Sequence, residues 1–188
     1  TSSAASDVYK RQAHIAGLPV RIFRISFTGE LSYEINIRAR HGLALWTHLM
    51  KAGAEFGITP YGTEAMHVLR AEKGFIIVGQ ETDGSVTPQD LGMDWIVSKV
   101  KPDYIGKRAL ERAPMAADNR KQLIGLRTKE RKQVIPEGAH AVLDPNQPMP
   151  MDMLGQVTSS YYSPNVGSSI AMAMLKGGRA LMGGTVYL

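Results

Sequence analysis

The sequence has 188 residues, of which 44% are hydrophobic and 21% are charged, a composition typical of a globular protein. It contains no cysteine, which excludes disulfides, thiolate metal sites and a cysteine nucleophile. The net charge of +5 is scattered along the chain and no apolar run is long enough to span a bilayer, so we predict no nucleic-acid partner, no membrane partner and a cytoplasmic location.

The first part of the chain predicts a polar tail followed by two strands. Residues 1–12 lack periodicity and are expected to be a disordered or non-native tail. A strand is predicted from Val20 to Phe27, a tight turn at residues 28–30, and a second strand ending near Ile37. In the second strand, apolar residues alternate with Ser32, Glu34, Asn36 and Arg38, which places the carboxylate of Glu34 on a polar face.

Two helices are predicted after these strands. The segment 41–56 carries an apolar stripe at helical spacing and ends at Gly57. Thr63 is expected to begin a second helix, which Gly74 closes. Strands followed by helices predict an α+β fold, with helices on one face of a mostly antiparallel sheet.

The last third of the chain predicts a small β-barrel. Five short strands are spaced evenly between turn residues, at 123–126, 139–143, 154–161, 169–175 and 184–188. The loop-like composition at 114–119 predicts a domain boundary, which gives an α+β domain at 13–115 and a barrel at 120–188. Because the last predicted strand reaches Leu188, we expect the barrel to be truncated.

Pattern alone singles out few candidate functional residues. Glu34 can accept two parallel hydrogen bonds from a heterocycle, although most strand glutamates are simply solvent-exposed. Arg70 can bind an anionic substrate, pair with a neighbouring glutamate, or brace its helix against the sheet. None of the five histidines has the spacing of a helical zinc site, so we predict no metal.

Several motifs, in the same order along the chain, resemble the folate-binding aminomethyltransferase family, which includes the glycine-cleavage T-protein. They lie at residues 24–35, 69–74, 87–92, 104–110 and 155–171. The resemblance implies a T-protein-like fold, of which this chain carries the second half. The Gly-Glu-Leu-Ser-Tyr-Glu-Ile and Ala-Glu-Lys-Gly-Phe forms are most similar to the branch formed by α subunits of heterotetrameric sarcosine oxidase.

The resemblance also implies a site for tetrahydrofolate. The glutamate that reads the pterin in this family matches Glu34, and Phe27 stands where the family has a tyrosine. Glu30 and Arg70 complete the expected folate-binding set. An arginine often found just before the Leu-Arg segment is Met66 here. The family's catalytic aspartate belongs to the N-terminal half of the fold, so no catalytic residue is expected in this chain.

By the same resemblance, the parent enzyme would oxidise sarcosine and pass the one-carbon unit to tetrahydrofolate, giving 5,10-methylenetetrahydrofolate. Flavins and NAD would be bound elsewhere in the complex, and the other oxidase subunits would be the partners in a hetero-oligomer. Three alternatives remain: a glycine-cleavage aminomethyltransferase, a non-enzymatic folate-binding scaffold of the iron–sulfur-assembly type, and a basic interaction module. The chain alone is expected to be inactive.

Overall fold

The computed structural model describes residues 10–188, which divide into two compact units. The first unit ends at Arg70 and the second comprises Ala71–Leu188. The boundary predicted between residues 115 and 120 lies inside the second unit. The antiparallel sheets and short helices of the two units confirm the predicted α+β class.

The first unit begins with a three-stranded antiparallel sheet in the order β1–β2–β3. Its strands are β1 (Lys10–Ile15), β2 (Leu18–Phe23) and β3 (Glu34–Asn36). Residues 10–12, which the predicted tail of residues 1–12 includes, pair with β2 and are therefore part of the sheet; the rest of that prediction lies outside the described residues. This pairing needs only backbone groups and a short turn, neither of which requires apolar periodicity in β1.

A loop at 24–33 replaces the tight turn predicted between the second and third strands. Gly29 has the expected left-handed backbone (φ +83°), but backbone pairing stops at Phe23 and Glu34. The hydroxyl of Ser32 donates a 2.8 Å hydrogen bond to the carbonyl of Ile25 and so closes the loop through a side chain. The apolar alternation therefore continues beyond the paired strand, and Leu31 and Tyr33 are exposed.

Two helices follow the sheet, close to the predicted positions. A 3-10 turn at Ala39–His41 leads into α1 (Gly42–Gly53), a second 3-10 turn occupies Ala54–Phe56, and α2 spans Thr63–Glu72. Of the apolar stripe predicted for residues 41–56, Leu45 on α1 is buried, but Phe56 in the second 3-10 turn is 82% exposed. No helix in the described part of the chain is long and apolar enough to cross a membrane.

The second unit is built on a four-stranded antiparallel sheet in the order β4–β7–β6–β5. A 3-10 turn at Asp94–Ile96 and the short helix α3 (Lys107–Leu110) come before this sheet in the chain. The strands of the sheet are β4 (Lys121–Arg127), β5 (His140–Ala141), β6 (Gly155–Ser163) and β7 (Ser168–Lys176). A final 3-10 turn spans Gly178–Leu181.

The sheet of the second unit carries the main hydrophobic cluster. Its centre is formed by buried side chains of β6, β7 and the segments beside them: Ile135, Ala141, Val157, Ala171, Ala173 and Leu175. The sheet curls so that β4 faces residues 181–188 across a cavity of about 740 Å³. Four of the five predicted barrel strands are present, whereas the predicted strand at 184–188 forms only a single bridge, between Tyr187 and Val142.

Candidate functional site

Glu34 lies at the start of β3, opposite Phe23 of β2. Its side chain is exposed, and its Oε1 atom accepts a 2.7 Å hydrogen bond from Nδ2 of Asn36. Because Asn36 is two residues further along the strand, both side chains stand on the same face. A carboxylate offers about four acceptor positions, so this bond orients Glu34 and leaves positions for two further parallel donors.

Phe27 lies in the loop that precedes β3 and offers part of a flat apolar ring. The ring is 40% exposed and contacts the imidazole of His67 on α2, with ring centroids 6.4 Å apart and planes tilted by 36°. This offset, tilted geometry is a favourable one for aromatic pairs. One part of the Phe27 side chain is thus held by α2, and another part remains accessible.

Glu30 and Arg70, the other predicted site residues, have opposite environments. Glu30 is exposed in the same loop as Phe27, and this loop leads directly to Glu34 at the start of β3. Arg70 lies in the last turn of α2 and has 0% of its surface exposed. A side chain with no exposed surface meets a ligand only if its surroundings move, which favours the bracing role among the alternatives for Arg70.

Two features of the polar face that carries Glu34 are not predicted by the sequence. Alternation places Asn36 on that face but does not show its hydrogen bond to Glu34. Arg21 lies directly opposite Asn36 in the sheet, and no local pattern singles it out. The spacing of two residues between Glu34 and Asn36 is visible in the sequence and puts both side chains on one face. The position of Arg21 opposite Asn36 follows only from the register between the strands.

The second unit contains a partly buried ion pair between Asp90, which is buried, and Arg120, which is partly exposed. Arg120 Nε donates to Asp90 Oδ1 at 2.8 Å and its Nη2 donates to Oδ2, while the same carboxylate accepts hydrogen bonds from Thr87. Burial of Asp90 raises its pKa, but the hydrogen bonds from Arg120 and Thr87 outweigh that effect and hold the pKa below its usual value. Arg120 also donates to the carbonyls of Ser85 and Pro114, so the pair fastens two loops to the start of β4.

Two other carboxylates, one at the end of α2 and one in the chain that follows it, bind to β6 and the turn after it. Glu81, which is 1% exposed, accepts hydrogen bonds from the backbone N–H of Ile77 (2.7 Å) and from the hydroxyl of Ser159. Glu72 accepts bonds from the hydroxyl of Ser163 and from Nδ2 of Asn165. These contacts satisfy carboxylates that would otherwise be costly to bury, and they indicate structural roles.

Histidine and acidic side chains are the candidates for a metal-binding cluster. Within residues 10–188, no group of three or more such side chains is placed to hold an ion. The acidic side chains described above instead accept hydrogen bonds from amide, hydroxyl and guanidinium groups.

Models of two protein domains match the chain and together cover most of it. The model described as the GCVT N-terminal domain matches residues 3–101, and the model of the glycine cleavage T-protein C-terminal barrel domain matches residues 121–188. The described strands β1–β3 fall within the first match, and all four strands of the second sheet fall within the other.

Individual relatives agree with these matches. The chain is 51% identical over 172 residues to sarcosine oxidase subunit alpha of Corynebacterium sp. (strain P-1), in an alignment that covers 89% of this chain and 18% of that protein. It is 33% identical over 174 residues to the aminomethyltransferase of Halothermothrix orenii, covering 93% of this chain and 46% of the other. The chain thus spans less than half the length of each.

A solved structure gives the same result for the fold. The crystal structure of the glycine cleavage system aminomethyltransferase T from Bartonella henselae matches with a TM-score of 0.75 and 26% sequence identity, over 89% of this chain and 44% of that one. The predicted T-protein-like fold is therefore confirmed, and the chain belongs to the glycine cleavage T-protein family.

Proposed function

We propose that this chain is the folate-binding part of a sarcosine oxidase α subunit, in which the one-carbon unit from oxidised sarcosine passes to tetrahydrofolate and gives 5,10-methylenetetrahydrofolate. The observation that carries the proposal is the oriented, accessible carboxylate of Glu34 at the start of β3. The pterin of tetrahydrofolate presents adjacent N–H and NH₂ donors, which match the two oxygens of one carboxylate.

The hairpin around Glu34 supplies the other proposed contacts. The exposed part of the Phe27 ring offers a surface against which the pterin can stack, and its contact with His67 limits how the ring turns. Glu30 adds a second carboxylate from the same loop. Arg70 supports the site as a buried brace of α2.

The oxidase is favoured over an aminomethyltransferase by the degree of similarity. The same stretch of chain is 51% identical to the Corynebacterium oxidase subunit and 33% identical to the Halothermothrix aminomethyltransferase. The Ala-Glu-Lys-Gly-Phe motif at residues 71–75 points the same way. The aminomethyltransferase remains the second candidate because the Bartonella structure matches 89% of the chain.

The partners, flavins and location belong to the proposal for the complete protein. In a sarcosine oxidase, the remaining subunits form a hetero-oligomer with the α subunit, and flavins and NAD are bound outside the region that this chain covers. We propose a cytoplasmic location for that assembly. A non-enzymatic scaffold of the iron–sulfur-assembly type ranks lower, since the motif of that group includes a cysteine and this chain has none.

Replacing Glu34 with glutamine tests the proposed pterin contact. The change keeps the size of the side chain but replaces one acceptor oxygen with an amide donor, so tetrahydrofolate affinity should fall by about 1.5–3 kcal/mol. Isothermal titration of the complete protein with tetrahydrofolate gives the affinity directly. Glu55→Gln is the matched control, because Glu55 is an exposed glutamate in the 3-10 turn after α1 and is not part of the hairpin. Equal affinity in wild type and Glu34→Gln would contradict the assignment.

Replacing Asn36 with leucine tests whether orientation of the carboxylate matters. The substitution keeps a similar volume but removes the donor to Glu34 Oε1, so the carboxylate becomes free to rotate. We expect tetrahydrofolate affinity to fall by about 1 kcal/mol, less than in Glu34→Gln, because the charged acceptor is retained. Asn119→Leu is the matched control, because Asn119 is an exposed asparagine of the second unit, outside the hairpin. Wild-type affinity in Asn36→Leu, or an equal loss in Asn119→Leu, would contradict a positioning role for Asn36.

An assay of the complete protein separates the two enzymatic candidates. Sarcosine-dependent formation of hydrogen peroxide, with tetrahydrofolate converted to 5,10-methylenetetrahydrofolate, supports the oxidase. Turnover of an aminomethyl-lipoyl carrier protein without sarcosine consumption supports the transferase. Either result is compatible with a folate site at Glu34, so this assay is independent of the titrations.

A further inference from the structure

We propose that Arg21 and Arg38 bind the glutamyl carboxylates of the folate whose pterin contacts Glu34. The proposal rests on the proposed function and adds a second, anion-binding end to the same site. It is carried by a basic cavity on the face of the first sheet that also bears Glu34.

The strand register places these side chains on one face. Gln12, Arg21 and Asn36 are direct partners across β1, β2 and β3, and directly opposed residues in a sheet project to the same side. Glu34 lies two residues before Asn36 and therefore shares that side. Arg38 has an extended backbone (φ −61°, ψ 133°) two residues after Asn36, so it continues the alternation.

The cavity on this face has a volume of about 540 Å³. Its polar lining includes two arginines, an imidazole and two amides: Arg21, Arg38, His14, Gln12 and Asn36. No carboxylate is among the described lining residues, so neither arginine is neutralised from within the cavity. A concave surface with two like cations favours an anionic ligand, and guanidinium groups suit carboxylates because they bind them with two parallel hydrogen bonds.

Glu34 therefore places a carboxylate at one end of this face, and Arg21 and Arg38 place positive charges further along it. At a rise of about 3.3 Å per residue, Glu34 and Arg38 are about 13 Å apart along the strand. Arg21, opposite Asn36, lies between them. A ligand with nitrogen donors at one end and carboxylates at the other fits this arrangement in one direction only. Folate has this polarity, because its pterin is joined through an aminobenzoyl group to glutamate.

The test measures how strongly the glutamyl tail contributes to binding. The complete protein is titrated with three ligands: tetrahydropteroate, which lacks glutamate, tetrahydrofolate, and its triglutamate form. The variants are Arg21→Gln, Arg38→Gln and the double variant, which keep hydrogen-bonding groups but lose charge. Arg11→Gln is the matched control, because Arg11 is exposed on β1 and its partner is Ile22, which places it on the opposite face.

We expect wild type to prefer the triglutamate over tetrahydrofolate, and tetrahydrofolate over tetrahydropteroate. Each single variant should weaken binding of the two glutamyl ligands by about 5- to 10-fold, and the double variant should bind all three ligands about equally. Tetrahydropteroate has a single carboxylate, on its benzoyl ring, so its binding should change less in the arginine variants than binding of the two glutamyl ligands. The preference for triglutamate in wild type should also decrease as salt is raised, since these charges are solvent-accessible.

Failure of this inference is distinguishable from failure of the proposed function. If Glu34→Gln weakens all three ligands while the double arginine variant keeps the wild-type preference for glutamate, the folate site stands and the anion subsite is rejected. If Arg11→Gln reduces the preference as much as Arg21→Gln, the effect is general attraction to a basic surface, and the subsite is again rejected. If Glu34→Gln changes no affinity, the proposed function itself fails.

Discussion

Replacing Arg120 with leucine is expected to lower the free energy of unfolding of the second unit by about 3–5 kcal/mol at pH 7. The change leaves Asp90, which is 4% exposed, as a buried charge without its cation. It also removes the donors to the carbonyls of Ser85 and Pro114, so two loops lose their attachment to the start of β4. Arg120→Lys keeps the positive charge but loses the bidentate hydrogen bonds to Asp90. It should lower the free energy of unfolding by less, about 1–2 kcal/mol.

The pH dependence of this effect follows from the lowered pKa of Asp90. A carboxylate with a lower pKa in the folded protein contributes stability that is fully present above its unfolded pKa of about 3.9 and is lost as the pH falls through the folded value. In Arg120→Leu, burial is no longer offset by the guanidinium, so protonation of Asp90 relieves the buried charge. The difference between wild type and variant should therefore be largest near neutral pH and shrink below about pH 4.

Hydrogen exchange measured in the complete protein, at pH 7 and at acidic pH, reports the opening free energy of β4 and its neighbours separately from the rest of the molecule. Lys176→Ala is the control, because it removes an exposed partner 3.8 Å from Asp152 and should change stability by less than about 1 kcal/mol. An Arg120→Leu protein with wild-type protection in β4 would show that the ion pair does not hold the unit together.

The local sequence pattern was sufficient to predict most strands of the second sheet. The strands β4, β6 and β7 each consist of a short apolar or small-residue run between turn residues, and each lies within about two residues of its prediction. The hydrophobic cluster draws on these same strands. The ion pair between Asp90 and Arg120 joins residues thirty positions apart, and no local period relates two such positions.

The hairpin of the first unit shows where side-chain alternation misleads. Alternation from Leu31 to Ile37 predicted one continuous strand, yet only residues 34–36 are paired, because the chain between Phe23 and Glu34 forms a loop closed by Ser32. Alternation of apolar and polar residues indicates which way side chains point in an extended chain. It does not show that the backbone is hydrogen-bonded to a neighbouring strand. Glu34 still lies in a strand, since it is the first residue of β3 that pairs with β2.

Within the candidate site, Glu34 could be singled out from the sequence, but the arginines of the basic cavity could not. Glu34 stood out through the resemblance to the T-protein family, because its position on a polar strand face is shared by many solvent-exposed glutamates. The arginines of the basic cavity belong to different strands or follow them, and their shared face depends on the register between β2 and β3. Register is set by pairing between separate strands, so the residue pattern within one strand does not predict which residues lie opposite each other.

Replacing Gly155 with alanine is the second change for which a large effect is expected, about 3 kcal/mol or more of lost stability in the second unit. Gly155 begins β6 and lies opposite Leu175 of β7. A Cβ atom at this position would overlap the backbone carbonyl oxygen of Met174, which cannot turn aside as a flexible side chain would. Either β6 and β7 must separate at this point, or the pairing of β6 with Ala141 of β5 must be given up.

Gly125→Ala is the matched control, because Gly125 lies in β4 of the same sheet and a Cβ atom there meets nothing within 4 Å. That variant should change stability by less than about 0.5 kcal/mol. Hydrogen exchange at the β6 and β7 amides measures both variants on one scale. If Gly155→Ala keeps wild-type protection at Leu175 and Lys176, the strands accommodate the methyl group, and the close approach of the two backbones is not a constraint on the sheet. If protection is lost there and retained in Gly125→Ala, the cause is the contact at Gly155, since glycine is replaced by alanine in a strand in both cases.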